Sequence, residues 1–501
     1  MPLFLSIAKI IFLSEFSDFF FKKIQTCDII SINFIYGVKK LEKLFKLKAN
    51  GTTVRNELIG GITTFLAMAY ILAVNPAILS DTGMPSQAVF AATAVSAAFA
   101  TMIMAFFANY PVVLASGMGL NAYFAYTVVP QLAAQGITDP WRVTLTAILM
   151  EGIIFILLSF VKFRETLVNK VPENLKLGIS AGIGLFIVSV GLTGAEAVIP
   201  GNGTISIFGN IASPEVVLAL VGVLIIAALT HYKINGAILI GIVSTWVLGI
   251  IAQLTGWYQL GEATGNVSII PDFSNYSPFA PLESMLTNTF CKFDFGYITV
   301  NPINFLVIVF AFLFVDLFDT VGTLIGVAHE CNMLNEKGEL PRAGRALMAD
   351  AVGTVAGSML GTSTVTSYVE STTGVAAGGR TGLTAFTSAV LFLLSLTLYP
   401  VFLAIPSFAT APALIFVGLL MMKNVTKMKF DGDIADTVGG FFAIIMMPFT
   451  NSIANGIMFG IISWVILKVI TGKIKDIHPI MWVSFALFAV RIVTMVLGIA
   501  S

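Results

Sequence analysis

Charged residues are scarce in this chain. Asp, Glu, Lys and Arg together make up 11% of its 501 residues, whereas a soluble domain carries about a quarter. Acidic and basic residues are balanced at 27 each, so the formal net charge is zero. These shortages exclude an ordinary soluble domain and give no reason to expect a nucleic-acid partner.

Cysteine and histidine are also rare, with three of each. The cysteines lie far apart, at Cys27, Cys291 and Cys331. Their spacing fits neither a metal site nor a disulfide framework, so we expect no metal and no cofactor. The phosphate-binding pattern GxxxxGKS/T is missing, which argues against nucleotide hydrolysis and favours an ion gradient as the driving force.

Long apolar runs are abundant, since hydrophobic residues reach 57% and the mean hydropathy is +0.93. A membrane-spanning helix needs about 20 mostly apolar residues. Segments that meet this requirement fall at 56–79, 87–108, 110–131, 141–161, 175–198, 216–231, 235–254, 303–328, 343–361, 363–379, 381–401, 408–423, 434–449 and 451–470, with an additional helix at 480–499. We therefore expect an all-α polytopic protein of about 14 transmembrane segments, embedded in a lipid bilayer.

Positive charge in the loops predicts the orientation. With the N-terminus in the cytoplasm, the outer loops contain only Arg142 and Lys292, and the other basic loop residues lie inside. The predicted location is the cell membrane, with 255–302 as an extracytoplasmic loop. Residues 1–45 form an N-terminal extension that is too often interrupted by charge to span the membrane.

An internal repeat is visible at the ends of the two groups of segments. NGAILIGIVSTW (235–246) is similar to NGIMFGIISW (455–464), and each ends a group of seven predicted segments. Because seven is odd, two such groups run in opposite directions, as in many secondary transporters. We expect inverted repeats at 50–254 and 303–472, and a chance match between two Gly-rich helices is the alternative.

Five acidic residues lie in the interior of predicted segments, away from the segment ends, where each costs roughly 2.5–3.5 kcal/mol on insertion scales. They are Glu151, Asp316, Asp319, Asp350 and Glu370. For Glu151, alone in its segment, we favour a structural hydrogen bond between helices. The other four share three consecutive segments, and this clustering favours a functional role for Asp319 and Glu370.

Two segments are predicted to be interrupted helices. The stretch 110–129 begins with Pro and a β-branched pair, and 362–379 begins with alternating Thr, Ser and Val; both contain several Gly. Extended backbone followed by a half-helix would leave N–H and C=O groups free in mid-membrane. Ordinary close helix contacts are the alternative. Carboxylates, free backbone groups and the Tyr368 ring would together suit a flat heterocycle with N–H donors.

Five stretches carry a family resemblance. They are NGTTVRNELIGGITTFLAMAYILAVNPAIL (50–79), ASGMGLNAYFAYTVV (115–129), FVDLFDTVGTLIGVA (314–328), LPRAGRALMADAVGT (340–354) and GTSTVTSYVESTTGVAAGGRTGL (361–383). They resemble the AzgA-like adenine/guanine/hypoxanthine permeases, which are related to the uracil and xanthine permeases. The resemblance implies two inverted seven-segment repeats, divided into a core and a gate domain, with short strands in the third and tenth segments.

The resemblance also implies roles for residues. Asp319 and Glu370 take the places of the two acidic residues that bind the substrate, and Tyr368 matches a ring that stacks on the base. Asp350 looks like an aspartate used in proton coupling, and we assign Asp316 and Asp319 to that task as well.

Two further residues belong to the expected substrate site. Thr323 stands where the uracil permease has a titratable residue, one turn after the acid of the eighth segment. Asn121, near the first interrupted helix, is expected to contact the substrate opposite Glu370, and a hydrogen bond between helices is the alternative.

The sequence thus predicts a purine nucleobase:proton symporter rather than an enzyme. A channel is a second class, marked by conduction without saturation. An intramembrane enzyme is a third, but His231, His329 and His478 all fall at predicted cytoplasmic ends. An anion carrier is disfavoured because two carboxylates would repel an anion. The preferred purine, and whether the chain forms a homodimer, are left open.

Overall fold

The computed structural model describes residues 41–160, 171–200, 206–260, 268–274, 276–330, 333 and 340–496. Most of the predicted N-terminal extension, up to residue 40, lies outside these ranges. Within them the chain is mainly helical, with two small sheets of two strands each.

Helices occupy the apolar runs of the first half of the chain. They are α1 (Val54–Met68), α2 (Ile71–Ser80), α3 (Ser86–Ile103), α4 (Met118–Tyr123), α5 (Val129–Ala134), α6 (Pro140–Phe160), α7 (Glu173–Gly194), α8 (Pro214–His231) and α9 (Ala237–Leu254). Strand β1 (Leu114–Ser116) precedes α4, and β2 (Val198–Pro200) and β3 (Ser206–Phe208) form a hairpin after α7.

The predicted outer loop at 255–302 carries two short helices, α10 (Ala280–Asn288) and α11 (Gly296–Val300). Helix α10 packs against α3. At its end the Thr289 hydroxyl donates to the Leu360 carbonyl at 2.8 Å. The loop is therefore attached to the helix bundle through specific contacts.

The second half of the chain repeats the helical pattern. Its elements are α12 (Pro302–Glu330), α13 (Ala343–Leu360), β4 (Val365–Ser367), α14 (Ser371–Ala376), α15 (Gly382–Leu394), α16 (Tyr399–Leu403), α17 (Ser407–Met422), α18 (Ile434–Phe449), α19 (Ile453–Ile470) and α20 (Pro479–Val496). Side-chain caps mark several starts: Thr381, Asp433 and Ser452 accept backbone N–H groups at the first turns of α15, α18 and α19.

Nine helical stretches among the described residues are long and apolar enough to cross a membrane, and shorter apolar helices lie at Pro302–Leu317, Ile434–Phe449 and Met481–Val493. The prediction of an all-α polytopic membrane protein is confirmed at this level.

Small residues allow the helices to approach closely. A Cβ added to Gly184 on α7 would lie 2.7 Å from the Gly418 carbonyl oxygen on α17, and one added to Gly178 would lie 2.5 Å from the Gly440 oxygen on α18. Helix α7 packs in this way on both α17 and α18, whereas α13 packs on α3 and α6, and α15 packs on α1.

Candidate functional site

Strands β1 and β4 cross at the centre of the site and pair antiparallel, with Ala115 opposite Thr366. Each strand is followed by a short helix, so the two interrupted segments are present as predicted. Two further bonds extend the ladder: the Gly117 N–H donates to the Thr364 carbonyl at 2.9 Å, and the Tyr368 N–H donates to the Val113 carbonyl at 3.0 Å.

Part of the strand backbone that was expected to be free is paired, because side chains cover several groups at the outer edges of the ribbon. Thr101 both accepts from the Leu114 N–H and donates to the Leu114 carbonyl, at 3.0 and 3.1 Å. The Thr354 hydroxyl donates to the Val365 carbonyl at 3.0 Å. Since water cannot satisfy these groups inside a bilayer, the fold pairs them internally.

Glu370 lies directly before α14 and receives a hydrogen bond of 2.7 Å from the Tyr70 hydroxyl. Tyr70 is fully buried where α1 passes into α2. Glu370 is half-buried, and its neighbour Val369 is 51% exposed although it belongs to an interrupted segment. Glu370 therefore keeps part of its surface accessible, while one carboxylate oxygen is held by Tyr70.

Asp319 on α12 faces the same place. It is half-buried and lies within electrostatic range of Glu370, Tyr70 and Tyr368. Thr323, one turn further along α12, also keeps accessible surface. The structure thus brings Asp319, Glu370 and Tyr368 together, and adds Tyr70 to them.

Tyr368 is tied across the ribbon. Its hydroxyl donates to the Ser116 carbonyl, which fixes the ring against β1, and the residue is almost completely buried. Stacking of this ring on a base stays a prediction.

Asn121, fully buried on α4, joins the two interrupted segments. Its side-chain oxygen accepts hydrogen bonds from the hydroxyls of Ser116, at 2.9 Å, and Ser363. Ser116 also lies 3.0 Å from the hydroxyl of Thr362, which accepts from Asn75 at 2.9 Å. This geometry fits the alternative of a hydrogen bond between helices. Contact between Asn121 and a substrate stays a prediction.

Asp350 and Asp316 are both fully buried. The Thr320 hydroxyl on α12 donates a hydrogen bond of 2.9 Å to Asp350 Oδ2, and the same hydroxyl oxygen lies 3.3 Å from Asp316 Oδ1. Ser367, the last residue of β4, lies 3.4 Å from Asp350 Oδ1. Asp350 therefore contacts the strand that precedes Tyr368 and Glu370, and Asp316 is linked to that strand through Thr320. Their coupling role stays a prediction.

Glu151 on α6 is fully buried and accepts from the Thr364 hydroxyl at 3.3 Å. This contact joins α6 to the start of β4, as the structural role favoured for Glu151 requires. Among the described residues, no group of three His, Cys, Asp or Glu side chains is arranged to hold a metal ion.

Sequence reasoning missed Glu57 and Tyr70. Glu57, in the first turn of α1, is fully buried. Its carboxylate accepts hydrogen bonds from the Arg380 backbone N–H and from the hydroxyls of Thr381 and Thr384, at the start of α15. A carboxylate inside the predicted segment 56–79 was a signal for Glu57. The position of Tyr70 in the motif FLAMAYILAVNP was a weaker one.

Comparison with known proteins identifies relatives along most of the chain. Adenine permease AdeP of Escherichia coli is 40% identical over 459 residues, covering 91% of this chain and 97% of the relative. Guanine/hypoxanthine permease PbuO of Bacillus subtilis is 41% identical over 451 residues, covering 90% and 99%. A putative permease of Methanocaldococcus jannaschii is 43% identical over 456 residues, covering 91% and 99%.

Solved structures support the fold. The transmembrane domain of a cyanobacterium bicarbonate transporter, BicA, superposes with a TM-score of 0.60 at 17% identity, covering 80% of this chain and 97% of that one. SLC26A9 superposes with a TM-score of 0.58 at 15% identity, covering 83% and 66%. At such identities the likeness concerns the fold alone.

The resemblance inferred from the five motifs is confirmed by these relatives. The family match extends over residues 55–459, which include both crossing strands and all the acidic residues predicted to lie in the site. The chain therefore belongs to the Permease family of membrane transporters (Xan_ur_permease).

Proposed function

We propose that this permease is a secondary active transporter that imports purine nucleobases (hypoxanthine, guanine or adenine) by proton symport. The observation that carries the proposal is the meeting of Asp319, Glu370, Tyr70 and Tyr368 beside the crossing strands. The names of the adenine and guanine/hypoxanthine permeases among the relatives support the substrate class.

The chemistry of the site suits a purine. Carboxylate oxygens accept hydrogen bonds, and a purine ring presents N–H donors at its edge, so Glu370 and Asp319 would form charge-assisted bonds with the base. Tyr368 would contact a ring face. Thr323 and Asn121 are assigned to the rest of the substrate site.

Anion transport is the rival that the fold suggests, since BicA is a bicarbonate transporter. The side chains argue against it, because Asp319 and Glu370 make the site acidic and an anion would be repelled from two nearby carboxylates. The same fold can serve both kinds of solute when its site residues differ.

Proton coupling is assigned to Asp350, with Asp316 and Asp319. A carboxylate in an apolar interior carries a high cost when charged, so it can take a proton on one side and release it on the other when access changes. By linkage, a proton that strengthens purine binding is itself held more tightly once the purine is bound.

The proposed architecture has about 14 transmembrane segments, with inverted repeats at 50–254 and 303–472 and α20 as an additional helix. The group of α1, α3, α6, α13 and α15 would belong to the core domain, and α7, α17 and α18 to the gate domain. Movement of one domain against the other would open the site alternately to each side. The N-terminus would lie in the cytoplasm and 255–302 outside the cell membrane.

Uptake by purine-transport-deficient cells that express the chain tests the proposal. Radiolabelled hypoxanthine, guanine, adenine, xanthine and uracil are compared, with and without a protonophore. Saturable purine uptake that the protonophore abolishes is the expected result. A preference for uracil contradicts the substrate, uptake that survives the protonophore contradicts proton symport, and flux that does not saturate indicates a channel.

A further inference from the structure

Thr320 occupies a position between two buried carboxylates and strand β4. Its hydroxyl oxygen lies 2.9 Å from Asp350 Oδ2, 3.3 Å from Asp316 Oδ1 and 2.8 Å from the Thr366 hydroxyl oxygen. Thr320, Asp316 and Asp350 are fully buried, and Thr366 is almost so. Solvent therefore does not compete for these bonds.

The hydroxyl of Thr320 has one hydrogen, and its three neighbours can all accept it. When Asp350 is charged, Thr320 donates to it and accepts in turn from Thr366. When Asp350 carries a proton, the carboxylic acid can donate to Thr320, whose hydrogen then turns to Asp316 or to Thr366. When it turns to Thr366, the hydrogen bond between Thr320 and Thr366 reverses its direction, so a proton on Asp350 can change this bond.

This bond reaches the substrate site through β4. Thr366 and Ser367, which both contact the Thr320–Asp350 pair, immediately precede Tyr368 in the chain, and Glu370 follows. Antiparallel pairing with β1 holds the strand, so a change at Thr366 acts on a constrained element rather than a loose loop.

We propose that Thr320 is a positioning residue that transmits the protonation state of Asp350 to strand β4 and so to the purine site. This proposal rests on the proposed proton symport. Titratable groups on neighbouring elements are Glu151 on α6, whose carboxylate accepts from Thr364, and Asp319, Glu370 and Tyr368 at the candidate substrate site. Thr320 bonds with both Asp316 and Asp350.

Thr320→Val tests the proposal because it keeps the shape of the side chain and removes the hydroxyl. Thr320→Ser restores the hydroxyl. Thr410→Val is the matched control, since Thr410 is a buried threonine on α17 that donates to the Ser407 carbonyl at 3.0 Å, away from the site. Purified proteins are assayed for adenine, hypoxanthine and guanine binding at acidic and alkaline pH, and for proton uptake when the base binds.

The parent protein is expected to bind with a pH-dependent affinity and to take up protons. Thr320→Val should still bind the base at the more favourable pH, but the ratio of its affinities at the two pH values should fall by about tenfold, and proton uptake should be lost. Thr320→Ser and Thr410→Val should behave like the parent. A role in packing alone would not change proton uptake.

A Thr320→Val protein with the pH profile and proton uptake of the parent overturns the role of Thr320. If that variant does not fold, Thr366→Val removes the other end of the same bond and is read by the same criteria. A parent that binds adenine or hypoxanthine without proton uptake overturns the proposed symport instead. A parent that binds none of adenine, hypoxanthine and guanine overturns the proposed substrate class.

Discussion

Two glutamates in the interior of this permease show how the same side chain is put to different uses. Glu57 is fully buried, and its carboxylate accepts from the backbone N–H groups of Arg380, Thr381 and Thr384 and from both threonine hydroxyls. Glu370 is half-buried and receives one bond of 2.7 Å from Tyr70.

The difference lies in how completely the hydrogen-bonding capacity of each carboxylate is used inside the protein. Glu57 is saturated and inaccessible, so it joins α1 to α15 and has no capacity left for a ligand. Glu370 keeps accessible surface next to Asp319 and can accept bonds from a solute. A buried charge by itself therefore does not identify a binding residue.

Glu57→Ala should have the largest effect. It leaves several buried donors at the start of α15 without their acceptor, which costs about 3–5 kcal/mol when a buried charged partner is removed. We expect a lower yield of folded protein and a reduced melting temperature in detergent. Glu42→Ala is the control, because the Glu42–Lys48 pair lies at the surface and is worth at most about 1 kcal/mol. If Glu57→Ala and the parent have the same melting temperature, the hydrogen bonds of Glu57 do not stabilise the fold.

Glu370→Ala should show the opposite behaviour, with near-normal stability and weak purine binding. Loss of a charge-assisted bond of about 1.5–3 kcal/mol weakens binding more than about tenfold. Asp319→Ala is expected to act similarly. Equilibrium binding of labelled purine and thermal melting are measured on the same samples, with Glu283→Ala in the exposed loop helix as control. Parent-like affinity in both site variants would remove them from the substrate site.

Asp350→Asn separates binding from coupling. The amide keeps the shape and much of the hydrogen bonding but cannot release a proton, so purine binding should survive while accumulation against a gradient fails. Vesicles containing equal amounts of parent and variant are compared for equilibrium binding and for proton-driven uptake. Continued accumulation by Asp350→Asn would show that the coupling proton is carried elsewhere.

Tyr70→Phe tests the single bond that distinguishes the environment of Glu370. It removes the donor and keeps the buried ring, so purine affinity should change by about fivefold, the effect of one hydrogen bond of about 1 kcal/mol. Tyr126→Phe is a matched control, because the Tyr126 hydroxyl donates to another carboxylate, Asp81, at 2.8 Å. Equal effects of the two variants on binding would mean that Tyr70 does not act through Glu370.

Asp433 is a third carboxylate, which is bonded by two lysines near the surface. Its replacement should have the smallest effect on stability. Hydrogen bonds from Lys468 and Lys473 hold the pKa of Asp433 well below its usual range. A carboxylate whose pKa is lowered in the folded state stabilises the protein at pH values above about 4, the ordinary pKa of an aspartate. This stabilisation is lost as the pH falls further, through the lowered pKa of the folded state. The melting temperature of Asp433→Asn should therefore lie below that of the parent near neutral pH, and the two should converge in acid. If the difference between the two melting temperatures does not narrow in acid, the ionised Asp433 carboxylate is not the source of this stability.

The helices could be predicted because hydropathy is a local property. About 20 consecutive apolar residues must span a bilayer as a helix, whatever their neighbours. The interrupted segments were also visible locally, in the Pro, Gly and β-branched residues around Leu114 and Val365. The membrane cost of a charge likewise directed attention to Asp319 and Glu370.

The partners of these residues could not be read in the same way. Tyr70 and Glu370 are 300 positions apart, and Glu57 and Thr384 are 327 apart. No local pattern contains such separations. For the same reason the sequence did not show that β1 and β4 pair with each other, or that Thr101 and Thr354 bond with backbone groups at their edges.

The sequence by itself determined that this chain is an all-α membrane permease with interrupted helices and with acidic residues inside its membrane segments. It could do so because hydropathy, turn propensity and the cost of buried charge act over short stretches of chain. The tertiary structure decided which carboxylate is saturated and which is accessible, and it placed Thr320 between Asp350 and β4. These outcomes depend on which side chains from distant segments meet, and only packing of the whole chain sets that.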